Sequence, residues 1–403
     1  MSVYKKSLKI HRKMRGKLEI KSKVKIKTKE DLATFYTPGV SEACRAIVQN
    51  PQDIYDLTIK NNSVAIVSDG SAVLGLGNIG PYAAIPVMEG KAILFKEYGG
   101  IDAFPLTVNT QNSFEIISLV KNISPVFGGI NLEDISAPRC FEIEDALQGI
   151  GIPVFHDDQH GTAIVLLAAL INSAKLAGKS IRSLRVVISG AGAAGTAIAN
   201  LLLCVGYDPK ICEPVKEIIV CDSKGIIHPG RADIQNNQWK MKLASITNKR
   251  GREGGIRQAL SGADVFIGVS AGDVLSPKWI SEMNTKPIIL AMANPNPEIL
   301  PDDAKSAGAF IVGTGRSDFP NQVNNVLAFP GVFRGALDAR AKVITNHMKI
   351  SAAFSLAKVV KEPLVDNILP SPLDKNVVPA IAAAVKKAYE EEVELGLISS
   401  TKN

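Results

Sequence analysis

Four carboxylate side chains lie close together in two short stretches of this 403-residue sequence. Glu133 and Asp134 belong to the stretch Asn131-Leu-Glu-Asp-Ile135, and Asp157 and Asp158 follow in the next one. The stretches alternate with apolar, strand-like runs, where acidic groups are costly to bury unless a cation compensates them. Carboxylate oxygens are hard ligands that suit Mg²⁺ or Mn²⁺ better than Zn²⁺. The pattern therefore predicts a site for a divalent metal ion.

A glycine-rich turn further along the chain has the context of a dinucleotide-binding motif. The run Gly190-Ala-Gly-Ala-Ala-Gly195 follows a predicted buried strand, Arg185 to Ser189, and precedes an apolar helix. The first glycine permits the tight turn, the second lets a pyrophosphate approach the helix N-terminus, and the third allows close packing of helix on strand. The predicted cofactor-binding residues of this turn are Gly190, Gly192, Ala193, Ala194 and Gly195.

The next predicted strand, Glu217 to Cys221, ends at an acidic residue, Asp222. We expect this carboxylate to hydrogen-bond the adenine ribose. It favours NAD, since a carboxylate repels the 2′-phosphate of NADP. Ser223 and Lys224 follow directly and offer the opposite interpretation, binding of that phosphate. The prediction is NAD, with NADP left open.

Positive charge is concentrated at the N-terminus. Residues 1–30, the basic arm, hold twelve Lys or Arg and two Glu, whereas the rest of the chain holds 34 basic and 37 acidic residues. Contact with nucleic acid or a membrane is one interpretation of the basic arm. Packing on a partner subunit is the favoured one, because Tyr4 is the only aromatic residue among these charges. We expect neither nucleic acid nor membrane as a partner.

Other features of the sequence indicate a soluble, cytoplasmic protein. The longest apolar run, Ala163 to Ile171, is far shorter than the ~20 residues of a membrane span. The N-terminus lacks the apolar segment of a signal peptide. The five cysteines contain no CxxC pair and are predicted to be reduced thiols.

Strands alternate with helices along the chain, which predicts an α/β fold with ligands beyond the carboxyl ends of the strands. We expect an N-terminal α/β substrate and metal domain over 1–161, a Rossmann-type domain with a doubly wound parallel sheet over 162–340, and a helical C-terminal segment over 341–403. The more local predictions are a helix over 7–17, strands over 21–27 and 63–68, a helix start at Thr28, and a connecting helix over 162–178.

Many segments of the sequence, in order along the chain, resemble the malic enzymes in their short prokaryotic form. The segments that carry the resemblance are HRKMRGK at 11–17, FYTPGV at 35–40, SDGSAVLGLGNIG at 68–80, EGKAILFKEYGGIDAFP at 89–105, NLEDISAPRCFEIE at 131–144, FHDDQHGTA at 155–163, ISGAGAAG at 188–195, CDSKGIIHPGR at 221–231, AMANPNPE at 291–298 and NQVNNVLAFPGVFRGAL at 321–337. The resemblance implies metal-dependent oxidation of L-malate by NAD(P)⁺ and decarboxylation to pyruvate and CO₂. A homodimer is expected, with the basic arm reaching across its interface.

The resemblance also implies roles for individual residues. It assigns metal binding to Glu133, Asp134 and Asp158, orientation of the base to Asp157, general-base catalysis to Lys91 and general-acid catalysis to Tyr36. As a base, Lys91 needs a pKa lowered from about 10.4 towards ~7–8. The metal charge and burial are both expected to lower that pKa. Tyr36 is expected to protonate C3 of the product enolate.

One position departs from the family pattern. Long-form malic enzymes have an arginine just after the Asp-Gly of the strand end, where it grips a substrate carboxylate, but here Asp69-Gly70 is followed by Ser71 and Ala72. Ser71, Asn294 and Asn324 are the candidates for contacts with substrate, and the two asparagines match substrate-contacting asparagines of the family.

Other functions remain as alternatives. His156 and His160 flank the aspartate pair, and a His–Asp pair would suit hydride transfer without a metal, as in a non-decarboxylating 2-hydroxyacid dehydrogenase; structural or supporting roles are favoured. A related β-decarboxylating enzyme is another alternative. A catalytically silent NAD-sensing or nucleic-acid-binding protein belongs to a different class, and the presence of Lys91, Tyr36 and the carboxylates argues against it.

Overall fold

Two parallel sheets organise the chain in the computed structural model, which describes residues 3–73 and 75–398. The strands of the first sheet are β1 (Ser63–Ser68), β2 (Asp102–Thr107), β3 (Gly129–Leu132) and β4 (Val154–His156). All are parallel and lie in the order β2-β1-β3-β4. Every residue of β1, β3 and β4 is buried, as expected for parallel strands covered on both faces.

The second sheet carries the dinucleotide turn. Its strands are β5 (Arg185–Ser189), β6 (Glu217–Asp222), β7 (Gly225–Ile226), β8 (Val265–Gly268), β9 (Ile288–Ala291) and β10 (Ile311–Thr314). They lie in the order β10-β9-β8-β5-β6-β7, parallel except for β7. The strand order reverses between β5 and β8, and ligands bind at such a switch point in open α/β sheets. The predicted α/β class with a Rossmann-type parallel sheet is confirmed.

Helices cover the sheets and form the C-terminal part of the chain. They are α1 (Val3–Met14), α2 (Lys29–Phe35), α3 (Val40–Gln49), α4 (Ile54–Leu57), α5 (Gly80–Gly99), α6 (Ser113–Ile123), α7 (Arg139–Leu147), α8 (Asp157–Ala177), α9 (Ala193–Leu202), α10 (Gln238–Ile246), α11 (Ile256–Leu260), α12 (Pro277–Ile280), α13 (Pro301–Ser306), α14 (Phe329–Asp338), α15 (Asn346–Val359) and α16 (Val377–Glu394). By length and composition α8 is apolar enough to cross a membrane, yet 72% of that stretch is buried inside the protein. It is a core helix here.

A cluster of aromatic rings joins the first sheet to the C-terminal helices. Phe95 of α5 lies 4.7 Å from Phe329 and 5.3 Å from Phe333, both of α14, between ring centroids. Phe155 of β4 lies 5.8 Å from Phe333. One hydrophobic core therefore includes residues of both sheets and of the C-terminal helices. The predicted boundary after residue 161 falls within α8. The division into three domains stays a prediction, and its first and last residues lie outside the described part of the chain.

The N-terminal segment, residues 3–59, packs differently from the rest. It contains no buried residue, although α1 lies at the predicted basic helix and Thr28 caps α2 through a reciprocal capping box with Asp31. The predicted strand over 21–27 is wrong. Residues 21–27 form no strand, because no neighbouring strand is present to pair with this exposed stretch.

The prediction of five reduced cysteines is also wrong, since Cys204 and Cys212 form a disulfide with a Cα–Cα distance of 5.8 Å. Cys44, Cys140 and Cys221 are free. The bonded pair closes the loop between α9 and β6. Its spacing of eight residues carries no sequence signal, because pairing depends on the conformation of that loop.

Candidate active site

The carboxylates predicted to bind a metal converge at the carboxyl end of the first sheet. Glu133 and Asp134 follow β3, and Asp158 lies in the first turn of α8, directly after β4. Asp134 has a φ of 53°, so the chain leaves the alternating strand geometry in which neighbouring side chains diverge. One carboxylate oxygen from each residue lies within 4.8 Å of the others. The amide of Asp134 also donates to Asp158 at 2.8 Å, which fixes the two residues relative to each other.

The electrostatics of this cluster fit a bound cation. Burial, together with the charges of Asp158 and Glu133, raises the pKa of Asp134 to about 9. Burial is also the largest influence raising the pKa values of Glu133 and Asp158. Acidic groups gathered in a buried site resist ionisation unless a positive charge compensates them. The three carboxylates supply the hard oxygen ligands that Mg²⁺ and Mn²⁺ prefer.

Lys91 connects this cluster to Asp157. It lies on α5, and its Nζ donates to Oε1 of Glu133 at 2.9 Å and to Oδ2 of Asp157. The ammonium also lies 4.0 Å from the ring centroid of Phe329. The structure therefore brings together Lys91, Asp157 and the three predicted metal ligands. Lys91 is buried on a helix, and is not the surface lysine that its local sequence alone would allow.

The pKa of Lys91 differs from the expectation. Burial alone would lower it, but the charges of Asp157 and Glu133 and their hydrogen bonds outweigh burial and raise it above the ordinary value. Burial and a metal charge, the two influences expected from the sequence, are therefore opposed by these two carboxylates. These contacts favour the ammonium form of Lys91.

The two histidines beside the aspartate pair do not form a catalytic His–Asp pair. His160 pairs with Glu144 at 3.0 Å. His156 is fully buried, its Nε2 lies 3.8 Å from Asp158, and neither of its ring nitrogens has a hydrogen-bond partner among the described residues. A distance of 3.8 Å is too long for a hydrogen bond, so the arrangement favours structural roles.

A cavity of about 750 Å³ joins the acidic cluster to the dinucleotide turn. Its walls include Asp158 on one side and Gly192, Ala193 and Ala194 on the other. The predicted substrate residues Asn294 and Asn324 also line it. The side-chain amide of Asn294 donates to the backbone carbonyl of Met292 at 3.2 Å. The cavity therefore has room for a small acid between the carboxylates and a dinucleotide.

The glycine-rich turn has the geometry that its sequence predicts. Gly190 has a φ of 120°, a conformation that side chains disfavour. A Cβ at Gly195 would lie 1.8 Å from the carbonyl oxygen of Gly190, whereas one at Gly192 would meet nothing within 4 Å. Gly192 is the N-cap of α9 and provides no side-chain cap. The first amides of α9 are therefore available to an anionic group beside the open face of Gly192.

Asp222 ends β6 as predicted, but its carboxylate is already engaged. Arg231 donates to both of its oxygens, at 2.8 and 3.1 Å, and Lys240 donates to Oδ2 at 2.6 Å. The amide of Lys224 donates to Oδ1 at 2.9 Å. Burial would raise the pKa of Asp222, but the hydrogen bonds from Arg231 and Lys240 outweigh it and lower that pKa.

Sequence reasoning missed Arg231, Lys240 and also Arg139. The last residue lies beside Ser71, a predicted substrate residue, and its Nη2 donates to Ser71 Oγ at 2.9 Å and to Asp69 at 2.7 Å. The Ser71 hydroxyl also accepts from the Ser136 amide at 2.9 Å. Arg139 and Arg231 both lie within segments that carry the family resemblance, which was the only available signal.

Tyr36 is not brought to the acidic cluster. It follows α2 in the N-terminal segment and is 66% exposed. Its hydroxyl makes no hydrogen bond to the residues that the structure describes. Lys91 and Asp157, the other two predicted catalytic residues, contact each other. Tyr36 contacts neither of them within this chain.

Comparisons with known proteins agree with this architecture. The family model described as malic enzyme, N-terminal domain, matches residues 15–117, and that described as malic enzyme, NAD binding domain, matches residues 159–389. A bifunctional malic/malolactic enzyme from Bacillus subtilis is 53% identical over 97% of this chain and 94% of the relative. An NAD-dependent malic enzyme from Geobacillus stearothermophilus is 51% identical over 93% of this chain and 76% of the relative.

Relatives with the other cofactor and solved structures give the same result. An NADP-dependent malic enzyme from Rhizobium meliloti is 46% identical over 93% of this chain and 50% of its own length. The crystal structure of an NAD-dependent malic enzyme from Thermotoga maritima has a TM-score of 0.90 at 48% identity, covering 94% of this chain and 98% of that chain. These matches agree with the dinucleotide turn and the cavity described above. The chain belongs to the malic enzyme family, the NAD- or NADP-dependent malate oxidoreductases.

Proposed function

We propose that this protein catalyses the oxidative decarboxylation of L-malate to pyruvate and CO₂, with reduction of NAD(P)⁺ and a requirement for Mg²⁺ or Mn²⁺. The observation that carries the proposal is Lys91, which contacts both Glu133 and Asp157 at the cluster of three carboxylates beside the cavity. A hydride transfer that needs no metal gives no reason for three buried carboxylates to converge.

Glu133, Asp134 and Asp158 would hold the divalent ion. When bound, this ion supplies Lewis acidity to the hydroxyl and carboxylate of malate, and its charge opposes the carboxylates that raise the pKa of Lys91. Nζ of Lys91 then accepts the proton of the C2 hydroxyl while the C2 hydride passes to the nicotinamide. Asp157 holds Lys91 in position through its hydrogen bond.

The second step breaks the C3–C4 bond of the keto acid. The electron pair of that bond remains as the enolate of pyruvate, and CO₂ leaves. In our proposal Tyr36 donates its hydroxyl proton to C3, which gives pyruvate. Ser71, Asn294 and Asn324 are the proposed contacts for the carboxylates of the substrate, and the last two line the cavity.

The exposure of Tyr36 supports a homodimer. The N-terminal segment exposes large apolar side chains such as Leu8, Ile20 and Val48, which a partner chain could cover. The basic arm and the net acidic remainder of the chain attract each other. We therefore propose that a second copy covers the N-terminal segment and that Tyr36 completes the active site of the partner. Light scattering tests the dimer, and a monomeric mass would contradict it.

Two other properties stay proposals. A cytoplasmic location was expected from the sequence, and fractionation of the source cells measures it.

The preference for NAD was predicted from Asp222, but the hydrogen bonds that both oxygens of its carboxylate accept remove the physical reason for that preference.

One assay tests the proposed reaction. NADH and NADPH formation from L-malate is followed with Mn²⁺, with and without EDTA, while pyruvate and lactate are measured in parallel. Metal-dependent reduction matched by stoichiometric pyruvate is expected. Reduction without pyruvate would indicate a simple dehydrogenase instead. Lactate is included because the relative from Bacillus subtilis is named a bifunctional malic/malolactic enzyme.

A further inference from the structure

Glu144 is a buried carboxylate that the proposed reaction does not use. It lies on α7 and is 6% exposed. Its side chain accepts a hydrogen bond from the backbone amide of His156 at 3.1 Å and another from the side-chain amide of Gln159 at 2.8 Å. Nε2 of His160 lies 3.0 Å from the same carboxylate, and the ammonium of Lys349, on α15, lies 3.4 Å from that nitrogen. The buried negative charge of Glu144 is therefore compensated by several donors.

The contacts of Glu144 lie on both sides of the pair Asp157 and Asp158. One contact is to the last residue of β4, immediately before the pair, and the others are to the two residues immediately after it in α8. Asp157 accepts a hydrogen bond from Lys91, and Asp158 is one of the three proposed metal ligands. A carboxylate from the neighbouring helix thus fixes the junction that carries both aspartates.

Glu144 also has the role that a local residue has at other helix starts. In a capping box the third residue of a helix, N3, accepts a hydrogen bond from the backbone amide of the N-cap residue. The N-cap of α8 is His156, which provides no side-chain cap, and N3 is Gln159. Gln159 donates to Glu144 instead, and Glu144 accepts from the N-cap amide. The first turn of α8 is therefore held by α7, and the two aspartates at N1 and N2 are left to the active site.

The space around Asp157 leaves the first turn of α8 little freedom. Asp157 is fully buried, and a Cβ at Gly161, one turn further along the helix, would lie 1.8 Å from its Oδ1. In the same turn, Oδ2 of Asp158 accepts from the backbone amide of Asp134 at 2.8 Å. Because both side chains fit this closely, a small rotation of the turn would displace both carboxylates from their partners.

We propose that Glu144 is a positioning residue for this active site. By holding the start of α8 it directs Asp158 towards the other two carboxylates of the cluster and Asp157 towards Lys91, although it does not belong to the cluster itself. The kinetic consequences rest on the proposed function, whereas the effect on Mn²⁺ binding requires neither malate nor a dinucleotide. Side chains that orient metal ligands typically contribute about 10–100-fold to metal affinity or activity.

Calorimetric titration of Mn²⁺ into the full chain tests the proposal without turnover. Glu144→Gln keeps the size of the side chain but places an amide, with donors of its own, against the groups that now donate to Glu144. We expect this variant to bind Mn²⁺ about tenfold more weakly, or weaker still. Glu142→Gln is the matched control. It removes the same charge from an exposed position of the same helix, so the affinity for Mn²⁺ should not change.

Exchanging the two partners separates position from charge. Gln159→Glu alone places a second carboxylate against Glu144, and their repulsion should weaken Mn²⁺ binding. The double variant Glu144→Gln/Gln159→Glu restores the carboxylate–amide pair in the opposite order, and its new carboxylate at N3 can accept from the N-cap amide as in an ordinary capping box. We expect its affinity for Mn²⁺ to return to within about threefold of the unsubstituted protein. If Glu144 acted through its charge alone, Gln159→Glu would instead tighten binding, because it adds a negative charge beside the metal ligands.

Kinetics gives a second readout. At saturating Mn²⁺, Glu144→Gln should lower kcat for malate oxidation by about 10–100-fold. KM for the dinucleotide should change little, because the contacts of Glu144 are to the start of α8 and not to the glycine-rich turn. If Glu144→Gln proves poorly folded in a thermal melt, Gln159→Met replaces it. This variant removes one donor, keeps most of the side-chain volume and should weaken Mn²⁺ binding in the same direction.

Unchanged affinity for Mn²⁺ in both Glu144→Gln and Gln159→Met would overturn the proposal, and so would tighter binding in Gln159→Glu alone. Failure of the proposed reaction looks different. In that case malate reduces neither cofactor, while the binding of Mn²⁺, its weakening in Glu144→Gln and its recovery in the double variant remain.

Discussion

Nζ of Lys91 donates a 2.9 Å hydrogen bond to Oε1 of Glu133, so the proposed proton acceptor contacts a proposed ligand of the metal. The other oxygen of Glu133, Oε2, accepts a hydrogen bond from the side-chain amide of Asn131 at 2.8 Å, which fixes the carboxylate plane. Because of this contact, the charge at the metal site and the proton on Lys91 depend on each other. A change at either residue should alter both metal affinity and the pH dependence of turnover.

Replacing Lys91 by methionine, which keeps much of the side-chain volume, tests its role as the base. We expect Lys91→Met to lower kcat for malate oxidation by about 10²–10⁴-fold, the usual contribution of general-base catalysis. Binding of NADPH, followed by fluorescence, should change little, because Lys91 contacts Glu133, Asp157 and the ring of Phe329 rather than the glycine-rich turn. Lys96→Ala is the control, since Lys96 lies on the same helix, pairs with Asp102 and is largely exposed. Near-normal kcat in Lys91→Met would contradict the assignment.

The pKa of Asp134 gives a prediction for chelator-treated protein. Its carboxyl group has a pKa of about 9 in the folded chain against an ordinary value of 3.8, so the folded state binds more protons between these values. The free energy of unfolding therefore falls as the pH rises from about 4 to about 9, by at most about 1.4 kcal/mol per unit for one group.

Urea unfolding in EDTA between pH 5 and 9 measures this slope. Asp134→Asn should flatten it, because the neutral amide does not titrate. Adding Mn²⁺ should restore stability at the high-pH end, since a ligand that binds only the folded state stabilises it. Stability that is constant or rises with pH in EDTA would show that the carboxylates do not repel one another as their placement indicates.

Local sequence predicted the strands that are continuous runs of β-branched residues. β1 and β5 lie where expected, and the carboxylates after β3 and β4 meet because the carboxyl ends of parallel strands share one edge of the sheet. β2 was missed since Pro105 argues against a strand. Its position at the edge of the sheet explains why the proline is tolerated.

Long-range contacts account for what sequence reasoning could not predict. The helix of Lys91 contains Pro86 and several glycines, which argue locally against a helix, and packing of Phe95 on α14 stabilises it. The side chains that occupy Asp222 come from positions 9 and 18 residues further along the chain. The spacing of the glycine-rich motif does not indicate that Arg231 and Lys240 hydrogen-bond Asp222. NAD was therefore predicted from Asp222 alone, without these two side chains.

Two glycines of the same turn provide a matched pair of variants. Gly195→Ala places a Cβ at 1.8 Å from the Gly190 carbonyl oxygen, so the turn must shift, and we expect a loss of about 1–3 kcal/mol in the free energy of unfolding. Gly192→Ala meets nothing within 4 Å and should melt at the normal temperature. Its methyl group projects into the cavity, so KM for the cofactor should rise about tenfold, equivalent to 1.4 kcal/mol. Equal melting temperatures for both variants would contradict the packing argument.

Mixing two variants, each lacking one proposed catalytic group, tests whether Tyr36 acts across the proposed dimer. Tyr36→Phe lacks the proposed acid, and Lys91→Met lacks the proposed base. In a mixed dimer, one site combines Lys91 of the Tyr36→Phe chain with Tyr36 of the Lys91→Met chain, so this site should be intact if the tyrosine comes from the partner. Co-expressed and purified mixed dimers should therefore recover up to about half of normal turnover per dimer, in proportion to the one restored site of two.

The same experiment separates this arrangement from one in which Tyr36 folds back onto its own chain. In that case every mixed dimer has one site without Tyr36 and one without Lys91, and turnover stays at the level of the separate variants. The control for the purification is a dimer in which both chains carry Tyr36→Phe and each chain carries one of the two purification tags. Since the N-terminal segment has no buried residue to hold it against its own chain, recovery is the expected outcome, and it should be lost when the chains are kept apart by dilution below the dissociation constant of the dimer.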